Sequence, residues 1–334
     1  MSTRTIPSIS PTLGRLLDDE LAFSPSFRRY YSNHLAMALV ALDQLGAPVE
    51  VLQSVFDAHA RGGAERRDDA DQLDERRREV ARDGIVATVR TRAAALVDAP
   101  GTALFHPMIR LGYALDVGHE GQVAAALLDW ENRHEVLPVP MPVPGSRRLA
   151  DVAADLAGHP SGTWPHTFDL HGIARRPELR AALDGVAMDE FTLDDVSSFA
   201  LAAHLAADDF ITLHLVTGAR AARAVSQLLD DDTARRLAAH MVPVMAIAYA
   251  AVGAPPLLDV AELDALRGRE LPSRGEIAAR AITDRDPHVI KLANVALVEE
   301  ERTADPLYRF VGAHDVGLAP SARAALEQRS TAAM

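Results

Sequence analysis

Alternating runs of β-branched residues are nearly absent from this chain, and apolar residues recur instead at helical spacing. That pattern constrains the fold more than anything else in the sequence. Alanine is abundant and aromatic residues make up only 5% of the chain, so intrinsic propensity favours helix almost throughout. The segment "HLAMALVALDQLGAP" (34–48) carries its own start and stop signals. Asn33 stands as a candidate N-cap, Gly46 at the expected C′ position, and Pro48 beyond it. "TALFHPMIRLGYALDVGHEGQVAAALLDWENRHEVLP" reads as two helices broken near Gly118. Further helices are predicted near 147–157, 176–186, 192–206, 208–229, 232–252, 259–267, 274–283 and 287–301, and 61–97 as a charged stretch turning amphipathic. The expectation is an all-α chain, 1–334, forming a single large helical domain. A proline-rich connector at 136–146, "VLPVPMPVPGS", could divide it into halves 1–135 and 147–334, but apolar density on both sides lets the halves share one core.

Composition excludes several functions. With no cysteine there are no disulfides, thiolate metal sites or cysteine nucleophiles. A net charge of −13 disfavours nonspecific binding to nucleic acid or anionic lipid, and the arginines are interleaved with carboxylates. The longest apolar run, "MVPVMAIAYAAVGAPPLL" (241–258), contains three prolines and reads as a buried helix followed by a loop rather than a membrane span. No charged region followed by an apolar one opens the chain, so the expected location is cytoplasmic.

Two residue types carry the chemistry. Of 13 histidines, His59, His119, His134, His159, His171 and His314 fall in polar or turn-like surroundings, and His166 lies in a loop. His204 and His240 sit on helices where packing accounts for them. His34, His106, His214 and His288 differ, each being embedded in an apolar segment. A buried imidazole needs a partner for both nitrogens, or a metal on one and a partner on the other. One such histidine is more often a satisfied core residue. Four, on four separate helices and in a chain without cysteine, favour a shared site, as bundles build metal sites from inward-facing side chains.

Lys291 is the only lysine, and the other 33 of the 34 basic residues are arginine. Three residues after His288, it shares a helical face with that histidine, in a helix that Asp286 and Pro287 start as N-cap and N1. Three readings compete. A lysine can snorkel to water, though arginine does that elsewhere in this chain. It can form a Schiff base, but no glycine-rich phosphate loop accompanies it. Or burial can leave the amine neutral, so that it takes up carbon dioxide and becomes a carbamate, an anionic oxygen ligand.

The chain resembles the questin oxidase-like family in five motifs in order: "NHLAMALVALDQLGAP", "FHPMIRLGYAL", "FITLHLVTG", "DPHVIKLANVAL" and "DPLYRF". The resemblance implies an α-helical oxidoreductase of secondary metabolism, an oxygenase that inserts oxygen into an aromatic polyketide of anthraquinone type and opens its ring. It implies a non-haem iron held by His34, His106, His214, His288 and a carboxylated Lys291, with His204 or His240 as possible replacements for one of them. The expected cofactor is Fe(II), with Mn or Zn as alternatives, and the expected partners are a small aromatic substrate and O2. Pro107 stands where a small residue is expected in that family. No G-x-G-x-x-G follows a strand, so no flavin or NADPH site is expected. Phe105, Met108 and Tyr113 flank the His106 motif and are candidates for a substrate pocket or, equally, for core. A zinc or manganese hydrolase or lyase, and a helical binding protein without catalysis, stand as alternatives.

Overall fold

The computed structural model describes residues 9–27, 31–139, 145–160, 162–187 and 192–332. It is 67% helical, with 18 helices and one two-stranded sheet among the described residues. In order these are α1 (Pro11–Glu20), β1 (Ser26–Phe27), β2 (Tyr31–Ser32), α2 (Leu35–Gln44), α3 (Val49–Arg61), α4 (Ala70–Asp83) and α5 (Ile85–Ala93). Then come α6 (His106–Val117), α7 (Glu120–Asn132), α8 (Leu149–Ala157), α9 (Leu170–Ala174), α10 (Pro177–Leu183), α11 (Leu193–Ala207) and α12 (Phe210–Ser226). The chain ends with α13 (Asp231–Ala250), α14 (Val260–Arg267), α15 (Arg274–Ile282), α16 (Pro287–Thr303), α17 (Pro306–Asp315) and α18 (Ala322–Ala332).

Local chemistry sets these boundaries. α2 ends in a Schellman motif: Gly46 has φ +83°, its N–H reaches Asp43 O at 3.0 Å, and Ala47 N reaches Leu42 O at 2.9 Å. Gly118, with φ +63°, separates α6 from α7. Asp286 caps α16 by accepting from His288 N at 2.8 Å, and Pro287 follows at the first helical position. Asn33 is not the formal cap of α2, which is His34, but its Oδ1 accepts from Leu35 N at 2.9 Å and does a cap's work one residue early.

Four helices close a circuit: α2 touches α6, α6 touches α12, α12 touches α16, and α16 returns to α2. Buried ion pairs cross-tie it. Asp116 on α6 meets Arg220 on α12, and Arg223 on α12 meets Glu299 on α16 at 2.5 Å. Residues before and after the connector belong to one hydrophobic cluster, as Leu39, Leu111, Leu215 and Leu292 illustrate. Connector residues 140–144 lie outside the described residues. No helix is long and apolar enough to cross a membrane among the described residues.

Candidate metal centre

Each helix of the circuit contributes one histidine, and the four imidazoles close a circuit of their own. Ring centroids lie 4.7 Å apart for His34–His106, 4.8 Å for His106–His214, 5.2 Å for His214–His288 and 4.4 Å for His288–His34. His34, His106 and His288 each offer a ligand nitrogen within 4.8 Å of the others.

His34 leaves the short hairpin β1–β2 and starts α2. Its neighbour Asn33 is locked from three sides. Asn33 Nδ2 donates to Glu20 Oε1 at 3.0 Å and to Ser24 O at 3.1 Å, and Arg110 donates to Asn33 O at 3.1 Å. His106 opens α6 after three consecutive non-glycine residues with positive φ: Ala103 (45°), Leu104 (55°) and Phe105 (67°). Such a run is costly for L-residues, and its result is to bring Ala103 O to 2.6 Å from His106 Nδ1. Phe105 then packs its ring against Gly218 on α12, where an added Cβ would meet it at 2.8 Å. His214 Nδ1 lies 2.8 Å from Phe210 O within α12. His288 Nδ1 lies 2.8 Å from Asp286 Oδ1, the same oxygen that caps α16.

Those three contacts fix the tautomers. Carbonyl and carboxylate oxygens only accept, so His106, His214 and His288 carry their protons on Nδ1 and leave Nε2 as a lone pair. The Nε2 atoms of His214 and His288 are buried with no hydrogen-bond partner among the described residues. His106 Nε2 lies 3.1 Å from His34 Nε2. Two nitrogens bound to one ion at ~2.1 Å and at right angles would be about 3.0 Å apart, so this spacing suits a common metal. Burial, reinforced by Lys291, holds the pKa values of His34 and His106 well below 6.5. Burial and then His106 do the same for His214, and burial brings His288 down to about 4. All four are neutral at pH 7, the form that binds metals.

Lys291 is 0% exposed, and its Nζ has no hydrogen-bond partner among the described residues. Burial brings its pKa down to about 7. Its charge lowers the pKa values of all four imidazoles. Tyr113 steadies this stretch of α16, donating to Lys291 O at 3.3 Å or to Asn294 Oδ1 at 3.2 Å.

Other candidates take other places. Phe105, Met108 and Tyr113 are 0%, 1% and 2% exposed. They are core residues beside His106, because α6 is buried along its whole length and on every side. His204 lies 3.1 Å from Thr212 Oγ1, and His240 is influenced by Asp98 and Arg236; neither contacts the four imidazoles among the described residues. His166 pairs with Asp209 at 2.7 Å. Phe210, by contrast, packs its ring at a steep angle against both His214 (4.6 Å, 56°) and His288 (4.7 Å, 63°), while remaining 44% exposed. It screens the cluster from one side. On another side a cavity of about 530 Å³ has His34, Leu35, Ala38 and Ile290 in its wall, together with His59. A groove of about 640 Å³ elsewhere, among Asp74, Arg77, Arg78 and Glu120, includes none of the four histidines.

No protein-family model matches this chain, and no curated protein matches it.

Proposed function

We propose that His34, His106, His214, His288 and Lys291 hold one divalent transition-metal ion, with Lys291 carried as a carbamate, and that the protein is an iron-dependent oxygenase acting on a small aromatic molecule. The observation that carries this reading is the buried, unpartnered Lys291 amine among four neutral imidazoles. A buried ammonium with no acceptor is expensive. A neutral amine can add to carbon dioxide, forming the N–C bond and releasing one proton, and the resulting carbamate supplies the only anionic oxygen the cluster would contain. Nitrogen and oxygen donors without sulfur suit iron, manganese or zinc. Iron(II) bound there would supply the one-electron chemistry towards dioxygen that protein side chains lack. The protein's own part is to fix each imidazole through its Nδ1 acceptor, to shield the cluster with Phe210, and to hold a substrate beside His34. Four of the five motifs that resemble the questin oxidase-like family are those whose side chains converge here, and this supports the oxidoreductase reading.

Elemental analysis and oxygen consumption of anaerobically purified protein provide the test. Iron near one equivalent with substrate-dependent oxygen uptake is expected. Lys291→Arg keeps the charge but forms no carbamate, so metal should be lost with the circular dichroism unchanged. Full occupancy in that variant removes the carbamate. Lys291→Ala should regain metal when a small carboxylic acid is added. Zinc without oxygen uptake would instead assign a hydrolase or lyase. Metal-free protein whose thermal stability ignores added iron would assign a binding protein.

A further inference from the structure

Three of the four imidazoles have an oxygen at Nδ1, and His34 does not. Its Nδ1 is buried with no hydrogen-bond partner among the described residues, while Ala103 O, Phe210 O and Asp286 Oδ1 stand at Nδ1 of His106, His214 and His288. His34 is placed by its backbone instead, and that backbone is tied to a buried polar trio. Glu20 ends α1, Arg110 lies on α6 and Gln122 on α7, and all three are buried. Glu20 Oε2 accepts from Gln122 Nε2 at 2.8 Å, and the same amide donates to Leu17 O at 2.8 Å. Glu20 Oε1 accepts from Asn33 Nδ2 at 3.0 Å and from Arg110 at 3.4 Å. The same guanidinium nitrogen donates to Asn33 O at 3.1 Å. That carbonyl belongs to the peptide bond leading into His34.

A buried ion pair is weak evidence for stability, since well-packed apolar residues of similar volume often do as well or better. What it can do is fix one arrangement, and the arrangement fixed here ends at a candidate metal ligand. Arg110 lies four residues after His106, so a single turn of α6 carries one imidazole and grips the peptide of another. We propose that Glu20, Arg110 and Gln122 are positioning residues for His34. Through Asn33 they do by way of the backbone what an Nδ1 acceptor does for the other three imidazoles. The inference rests on the metal centre proposed above for His34 as a ligand, but the hold on its backbone can be measured with no metal present.

The test is cobalt(II) affinity of the folded protein, by chelator competition, with and without His34. Asn33→Ser keeps an oxygen to cap Leu35 N but loses the Nδ2 donor, so affinity should fall about ten-fold. Glu20→Met/Arg110→Met/Gln122→Met replaces the trio with apolar side chains, and affinity should fall about 10- to 100-fold. If that triple variant does not fold, Asn33→Ser decides alone. In a His34→Ala background neither change should lower affinity further, because both act through that side chain. A network that serves packing alone would leave cobalt affinity unchanged, or lower it equally in both backgrounds, and either result overturns the assignment. Hydrogen exchange of the metal-free protein separates this failure from that of the metal centre. The Ala38 amide donates to His34 O at 2.9 Å, and the Ile109 amide to Phe105 O at 2.8 Å. In Asn33→Ser the first should exchange about ten-fold faster, the scale of one weakened hydrogen bond, and the second at its wild-type rate. Equal exchange of Ala38 in both proteins overturns the positioning. Wild type that binds no cobalt overturns the metal centre, and the exchange of Ala38 then decides whether the network places His34.

Discussion

Asp286 does two jobs with one oxygen. Its Oδ1 accepts from the backbone of His288, which starts α16, and from His288 Nδ1, which fixes the imidazole. Asparagine caps a helix about as well as aspartate but is a weaker acceptor for an imidazole N–H. Asp286→Asn should therefore leave the denaturation midpoint almost unchanged while metal affinity falls about 10- to 100-fold, the range for removing a partner behind a ligand histidine. Asp286→Ala should lose a further ~1 kcal/mol of stability from the cap. Equal metal affinity in wild type and Asp286→Asn, measured by competition with a chelator, would disprove the second job. Lys291 invites the opposite experiment. Lys291→Met keeps the stem and removes the amine, so the metal-free protein should gain about 1–3 kcal/mol in urea unfolding as the unmatched polar group disappears, while metal binding is lost. At this scale the sequence shows the lysine by its solitude and the four histidines by their apolar neighbours. It does not show the Nδ1 acceptors, because two of them are backbone carbonyls whose position depends on local conformation.

Helices carry ligands only as well as their termini are placed, and α6 is placed at a cost. Ala103, Leu104 and Phe105 all lie in the left-handed region, where each non-glycine residue costs roughly 1–2 kcal/mol. The turn is held because Phe105 is clamped over Gly218 and Ala103 O meets His106 Nδ1. Strain maintained beside a cluster of unmatched imidazoles fits a site whose geometry is fixed in advance. Ala103→Gly relieves part of it with the loss of a single methyl group. We expect the metal-free protein to become more stable by about 1 kcal/mol and metal affinity to fall, as the turn no longer holds His106. Gly218→Ala should weaken metal binding from the other side, since its Cβ would displace the Phe105 ring. Unaltered metal affinity in both variants, by the same chelator competition, would reduce the turn to a packing accident. Most helices are legible from the sequence: α2, α6, α7, α8, α10, α11, α12, α13, α14, α15 and α16 lie within a few residues of where periodicity and caps put them. The left-handed turn is not, because alanine, leucine and phenylalanine are ordinary helix or core residues, and only a tertiary clamp forces them into that region. The clamp on Phe105 and the burial of α6 on every side put Phe105, Met108 and Tyr113 in the core.

The whole molecule must keep several neutral imidazoles in its interior, and that makes its stability depend on pH. Burial lowers the pKa values of His34, His106, His204, His214 and His288, those of His204 and His288 to about 4, whereas an unfolded histidine titrates near 6.5. Between about pH 6.5 and 4 the unfolded chain binds protons that the folded chain refuses. The stabilisation from these groups is thus complete above 6.5 and is lost as the pH falls, at up to ~1.4 kcal/mol per pH unit for each fully refused proton. Asp315 acts in the other direction. Burial raises its pKa to about 7, so its contribution is lost as the pH rises from 3.8 towards 7. Burial also raises the pKa values of Asp43 and Asp129, and the bond to Asp208 raises that of His314, so these groups offset part of the effect, but the five buried imidazoles outnumber them. A folded protein has only about 5–15 kcal/mol in hand, so the metal-free protein should lose most of its stability between pH 6.5 and 5, well before ordinary carboxylates titrate. The circuit of α2, α6, α12 and α16 carries four of the five histidines, so unfolding should begin there and expose Trp130 late, since its indole is bound to Ala99 O outside that circuit. A metal-loaded sample should resist until protons displace the ion, with metal release and loss of helicity coinciding. Urea midpoints of the metal-free protein at pH 7, 6 and 5 decide the matter. A flat series would mean that the imidazoles protonate in place, and that the interior round Lys291 is far wetter than its burial indicates.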